Sequence, residues 1–283
     1  MANAVLITGA SSGFGLLTAR LCHARGWNVV PTARDVRRIP PAPSDPGRWL
    51  PLRLDVTAPD SVAAAMASAL ERFGALDAVV NNAGIGHFSS AEEAAPDALR
   101  REFEVNFFGA VAVARAALPS MRARRKGRLV FVSSQWGRTG VPGFSGYCAA
   151  KFALEGWAEA LAHEVRPFGV AVRLVEPGAF DTGFGERSLS VGKAVGDAES
   201  PYAGLYARLR AGFASERNPT GEPVAEAIFR AVSGEGESRL RIVVGKEAEA
   251  WSRARFAPGE EAFLLRLARE IGWDAEGGRE VKP

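Results

Sequence analysis

The stretch Ala4-Val5-Leu6-Ile7-Thr8-Gly9-Ala10-Ser11-Ser12-Gly13-Phe14-Gly15 decides the fold. A short apolar run ends at Thr8, and three glycines lead into a helical pattern from Phe14 to Arg25. Glycine at those positions permits a tight turn and lets a pyrophosphate approach the backbone at a helix N-terminus. With 7 Thr and 31 Gly in 283 residues, the spacing Thr-Gly-x-x-x-Gly-x-Gly arises by accident in roughly 0.01 of such chains.

Outward from that turn, short apolar runs alternate with longer helical patterns, which predicts an α/β fold: one doubly wound Rossmann-type domain with a seven-stranded parallel sheet between helices. The expected strands are Ala4 to Thr8, Asn28 to Thr32, Trp49 to Leu54, Ala78 to Asn81, Arg128 to Ser133, Val170 to Val175 and Leu240 to Val244. The expected helices include Asp60 to Phe73, with capping-box spacing at Thr57 and Asp60 and Gly74 beyond its end. Asp97 to Arg124 reads as a helix bent or ended near Pro119, and Ser145 to Arg166 as another. The period fails over residues 180–219 apart from Leu205 to Phe213, so that segment is expected to form a substrate lid. A helical extension is expected over 246–283, with Glu260 to Ile271 helical and Glu276 to Pro283 frayed. Pro31 sits awkwardly for an internal strand.

Composition excludes several classes. The chain is 47% hydrophobic and 24% charged, with mean hydropathy near zero, which argues against disorder. Its net charge is only +3, and nucleic acid is not an expected partner. The cluster Arg122, Arg124, Arg125, Lys126 and Arg128 falls where cations suit a helix end. No apolar run is long enough to span a membrane, so no membrane association is expected. Cys22 and Cys148 make neither a disulfide framework nor a zinc set, and a reducing cytoplasm fits. His23, His87 and His163 have no metal-ligand spacing, so no metal is expected; His23 and His163 read as helix-surface residues and His87 as a loop residue.

Tyr147 and Lys151 stand four apart on a helix and share a face. A phenol of pKa about 10 needs roughly 4 kcal/mol to titrate near neutrality, and one ammonium about 4 Å away supplies that magnitude at an effective dielectric of about 20. Ser134, thirteen residues before Tyr147, ends a strand where its hydroxyl can face the crevice. Asn106 interrupts an apolar stretch, and a buried amide needs partners.

Together these motifs resemble the short-chain dehydrogenase/reductase family in its classical branch, over nearly the whole chain. The carriers are Thr8 to Gly15, Asp55-Val56, Asn81-Asn82-Ala83-Gly84, Asn106, Ser134, Tyr147-x-x-x-Lys151 and Pro177-Gly178 followed by Thr182. The resemblance implies Ser134, Tyr147, Lys151 and Asn106 as catalytic residues, with Ser134 rather than Ser133 facing substrate and Asn106 holding a water that links Lys151 to solvent. It implies cofactor contacts from Gly9, Ser11, Ser12, Gly13, Phe14, Gly15, Arg34, Asp55, Val56, Asn82, Ala83, Gly84, Tyr147, Lys151, Pro177, Gly178 and Thr182. Ala33 stands where NAD-dependent members carry an acid, and Arg34 follows it, so NADP(H) is expected over NAD(H) although Asp35 lies next door.

The implied reaction is hydride transfer between the nicotinamide and a ketone or secondary alcohol. Phe88, Trp136, Val141, Phe144, Phe180 and Phe184 make a lipophilic substrate the expectation, as in the steroid- and retinol-dehydrogenase-like branch. Pairing of the two long helices implies a homodimer or homotetramer. The alternative is a non-catalytic NADP-sensing regulator on the same fold, which would need none of Ser134, Tyr147, Lys151 and Asn106.

Overall fold

The computed structural model describes residues 2–215, 220–236 and 238–256. Its main sheet has seven parallel strands in the order β3-β2-β1-β4-β6-β7-β9. These are β1 (Ala4–Ile7), β2 (Asn28–Ala33), β3 (Leu52–Arg53), β4 (Ala78–Asn81), β6 (Gly127–Val132), β7 (Val170–Pro177) and β9 (Arg241–Val244). The remaining two, β5 (Gly86–Phe88) and β8 (Leu189–Val191), pair with each other in parallel outside that sheet. The strands are apolar on both faces because helices cover both. One face packs Leu6, Val79, Leu129 and Leu174 against α2 (Pro59–Phe73), α4 (Gly109–Arg124) and α5 (Ser145–Val165). The other packs Val5, Val80 and Val130 against α1 (Gly13–Ala24) and α8 (Glu222–Ser233). Reversal of strand order between β1 and β4 opens a crevice at the carboxyl ends, where open α/β sheets bind ligands.

Several expectations need correction. β3 is two residues long, and Trp49 makes only an isolated bridge to Val29. That short edge accommodates Pro31: the β2 residues Val29 and Ala33 accept from Leu50 and Leu54, so the missing Pro31 N–H falls on the β3 side and leaves pairing with β1 intact. Thr57 and Asp60 form no capping box; Ala58 precedes α2, and Thr57 donates through N–H and hydroxyl to Asp55 Oδ1 at 3.0 and 2.8 Å. Gly74 does close α2, at φ 75°.

The helix expected over 97–124 is three pieces: α3 (Pro96–Phe103), a π turn (Glu104–Phe108) and α4. Pro119 does not end α4, which runs on to Arg124 with the proline on its exposed side. The basic cluster does sit at the end of α4, with Arg124 and Lys126 both paired to Asp77. His23 is not a surface residue; it is fully buried, bonded to Asp45 O at 2.8 Å and edge-on to Trp49. The segment after residue 180 contains α6 (Phe184–Arg187), β8 and α7 (Ala203–Ser215), and β9 leads into α9 (Lys246–Phe256). The expected helix Glu260 to Ile271 and the frayed end lie outside the described residues. Among the described residues, no helix is long and apolar enough to cross a membrane.

Candidate active site

A cavity of about 940 Å³ runs along the crevice. One end is the glycine turn between β1 and α1. Gly9 and Gly13 have φ of 66° and 54°, the left-handed region that only glycine enters without strain. A Cβ on Gly9 would lie 2.9 Å from the Ala83 backbone, and one on Gly15 would lie 2.5 Å from both Asn82 Nδ2 and Gly9 O. Asn82 causes that tightness: Nδ2 donates to Thr8 O at 2.9 Å and Gly9 O at 3.1 Å, while Thr8 Oγ1 accepts the Asn82 and Ala83 N–H groups. Ser12 makes no side-chain cap on α1, so the first N–H donors of that helix remain for an anion. A cradle of bare backbone and free donors fits a dinucleotide pyrophosphate.

At the far side of the turn, Ala33 and Arg34 line the cavity at the end of β2. Arg34 is exposed. Asp35 is absent from the lining and instead holds Arg37 through two bonds of 2.9 and 3.0 Å. Asp55 and Val56 also border the cavity. Burial pushes the Asp55 carboxyl up, but the two Thr57 bonds and the charges of Arg101 and Arg34 outweigh it and leave the group below the ordinary carboxylate range.

At the other end, three elements converge. β6 delivers Ser134, whose Oγ accepts the Trp136 N–H at 3.1 Å; Ser133 turns the opposite way, toward Glu155. α5 delivers Tyr147 and, one turn on, Lys151. The Ser134 hydroxyl stands near the Tyr147 phenol and acts on its titration. Lys151 Nζ lies 5.7 Å from the Tyr147 ring centre and donates to Val132 O at 2.8 Å. Burial drives the ammonium down to about 8, with the Glu155 charge opposing.

The phenol departs from the expectation of a lowered pKa. Burial pushes it up, the nearby Ser134 hydroxyl pulls it down, and the charges of Cys148 and Glu102 add to the rise. The Lys151 ammonium, itself brought down to about 8, loses its charge before so raised a phenol ionises and does not offset the desolvation.

Asn106 lies inside the π turn and is fully buried. Its Oδ1 accepts the Ile85 N–H at 2.9 Å and its Nδ2 donates to Ile85 O at 2.8 Å. A Cβ on Gly84 would stand 3.2 Å from Asn106 Oδ1 and 3.8 Å from Lys151 Nζ, so the two side chains meet around Gly84. The extra residue of the π turn aims Asn106 there.

Of the expected site residues, Gly9, Ser11, Ser12, Gly13, Phe14, Arg34, Asp55, Val56, Asn82, Ala83, Gly84, Ser134, Tyr147, Lys151, Pro177, Gly178 and Thr182 all border this cavity, while Gly15 and Asn106 stand behind it. Trp136, Val141, Phe144, Phe180 and Phe184 also line it. Phe88 does not; it is buried beneath, 5.2 Å from Phe144 and 5.6 Å from Tyr206 between ring centres. Missed in the sequence were Leu209 of α7 and Ala250, Trp251 and Ala254 of α9. Also missed was Glu247, which accepts the Ala179 N–H at 3.0 Å and lies against Gly178. No local motif marks these residues, which reach the cavity only through the tertiary fold. Among the described residues, no group of His, Cys, Asp and Glu side chains could hold a metal ion.

Residues 3–190 match the family model for short chain dehydrogenases. The chain belongs to the short-chain dehydrogenase family. Oxidoreductase BOA17 of Botryotinia fuckeliana is 35% identical over 93% of this chain and 94% of its own length. Human retinol dehydrogenase 8 is 40% identical, over 64% of this chain and 60% of that protein. A short-chain dehydrogenase from Streptomyces avermitilis superposes with a TM-score of 0.83 at 34% identity, covering 96% of this chain and 97% of the other. The chain is therefore a member of an oxidoreductase family.

Proposed function

We propose that this short-chain dehydrogenase catalyses NADP(H)-dependent interconversion of a lipophilic ketone and its secondary alcohol. The observation that carries the reading is convergence: Ser134, Tyr147 and Lys151 share one cavity with a glycine cradle shaped for a dinucleotide. Bound in that cradle, the nicotinamide cofactor supplies or takes up the hydride. Gly9, Ser11, Ser12, Gly13, Phe14 and Gly15 would hold its pyrophosphate side, with Asp55, Val56 and Asn82 to Gly84 beside the adenosine and Pro177, Gly178 and Thr182 beside the nicotinamide. Arg34 favours the extra phosphate of NADP(H), because Asp35 is already occupied by Arg37.

Ser134 Oγ donates to the carbonyl oxygen and steadies the charge that grows on it. Tyr147 gives its proton to that oxygen in reduction and takes one back in oxidation. A phenol held protonated by its surroundings is suited to the first role, since an alkoxide is a much stronger base than a phenolate. Lys151 would hold the cofactor's ribose and pass a proton, and Asn106 fixes the Ile85 backbone beside it, where a water to the outside would sit.

Of the lid expected over residues 180–219, the described part, 180–215, is supported by Phe184, Leu189 and Leu209 in the lining and by the anchoring of α7, whose Tyr206 accepts the Ser90 N–H at 2.9 Å and donates to Glu93. Trp251 of α9 also lines the cavity. With Trp136, Phe144 and Phe184 around Tyr147 at 6.2–6.5 Å between ring centres, a hydroxylated substrate would leave its hydroxyls unpaired, at about 1–3 kcal/mol each. Steady-state rates over a panel of ketones with NADPH and NADH test the reading: efficiency should rise with apolar area, and consistent preference for hydroxylated ketones of equal size would contradict the apolar pocket.

The exposed rings of Phe108 and Phe152, on the π turn and α5, support assembly as a homodimer or homotetramer. Light scattering should give two or four times the 30.0 kDa chain mass; the mass of one chain at micromolar concentration would contradict it.

A further inference from the structure

Glu102 of α3 is buried, with 2% of its surface exposed, and the chemistry above does not use it. One carboxyl oxygen accepts the His87 N–H at 2.8 Å. The other lies on Gly146, where a Cβ would come within 2.3 Å of it. Gly146 precedes Tyr147, so its lack of a side chain lets the carboxyl rest on the first turn of α5. Among the described residues, no cation forms an ion pair with Glu102.

Three elements pack against it and present titratable groups. α5 brings Tyr147, Cys148 and Lys151. β5 brings His87, whose imidazole turns away to Ser190 Oγ at 2.8 Å. The π turn brings Glu104, and α3 itself carries Arg101, both exposed. The Glu102 charge acts on Tyr147 and Cys148, raising both. Burial lifts Glu102 itself to about 7, against the pull of the His87 bond. It is therefore neutral in mild acid and negative in mild base.

We propose that Glu102 is a positioning residue for proton transfer, fixing the backbone of His87 against the first turn of α5 and, once charged, holding the Tyr147 phenol in its protonated form. This rests on the reading of Tyr147 as the proton carrier. A unit charge about 10 Å away at an effective dielectric of about 20 moves a titration by about one pH unit. For alcohol oxidation that gives about ten times less phenolate at a fixed pH, and the stronger base recovers about threefold of it. The net effect of the Glu102 charge is then about threefold slower oxidation.

Glu102→Gln removes the charge but keeps the size and an oxygen for the His87 N–H. Its rate of alcohol oxidation, relative to the unaltered enzyme, should be about one near pH 5, where Glu102 is already neutral, and about three near pH 8. Glu102→Asp keeps the charge and should stay near one at both. Carboxyl ¹³C resonances of glutamate-labelled protein give a second reading without turnover: the signal lost in Glu102→Gln should titrate near neutrality. A relative rate that is the same at both pH values, as a purely structural role would give, overturns the proposal. So does a Glu102 signal that titrates in the ordinary carboxylate range. Undiminished turnover in Tyr147→Phe would instead remove the proton-carrier reading and the proposal with it, whatever the carboxyl titration shows.

Discussion

Tyr147→Phe is expected to lower turnover by about 10²–10⁴, the range that general acid–base catalysis supplies, while leaving the fold and cofactor affinity in place. The substitution removes one oxygen. The ring keeps its contacts with Trp136, Phe144 and Phe184, so packing loses little, and Lys151 keeps its bond to Val132 O. Ser134 stays anchored by the Trp136 N–H. The loss should therefore appear in kcat rather than in the melting temperature. Full turnover from a purified, folded variant would exclude Tyr147 as the proton carrier.

Arg34→Ala is expected to weaken NADPH binding by about 10- to 100-fold, the worth of a charged hydrogen bond, and to leave NADH nearly unchanged. Arg34 borders the cavity at the end of β2, and Ala33 before it offers no carboxylate to the ribose. Asp35, the acid that would argue for NAD(H), is spent on a two-point bond to Arg37. Fluorescence titration of both cofactors against both proteins measures the discrimination. Equal losses for the two would mean that Arg34 serves a phosphate they share, and the preference for NADP(H) would fall.

The glycine turn and the Tyr147–Lys151 spacing are legible in sequence because backbone conformation and helical period impose them locally. Gly9 and Gly13 need positive φ, and any side chain on Gly15 would strike Asn82. The sheet was legible for a similar reason: strands covered on both faces are apolar throughout. The pair β5 and β8 was not, since each is three residues long and forms only because the chain brings residues 86–88 and 189–191 side by side. The π turn left no mark either, as Glu104 to Phe108 reads as ordinary helix until Asn106 is seen bonded to both backbone groups of Ile85.

Other elements carried a signal that went unread. α8 begins with Pro223 in its first turn and ends at Gly234 with φ 79°, the usual start and stop of a helix. Nothing adjacent to His23 in the sequence marks it as buried; the turn at Asp45, 22 residues on, folds back over it. The raised phenol of Tyr147 could not be anticipated from Lys151 alone, because its direction depends on burial and on Glu102 from another helix.

The central claim is hydride transfer to a carbonyl carbon in the cavity that Ser134, Tyr147 and Lys151 share. It is tested most directly with NADPH deuterated at both nicotinamide C4 positions and a lipophilic cyclic ketone, the product alcohol being examined by mass spectrometry and NMR. The account predicts one deuterium on the carbinol carbon, formed at a rate that collapses in Tyr147→Phe. NADPH binding with no labelled alcohol from any ketone of the panel would contradict it and favour the regulator that binds the cofactor without turning it over.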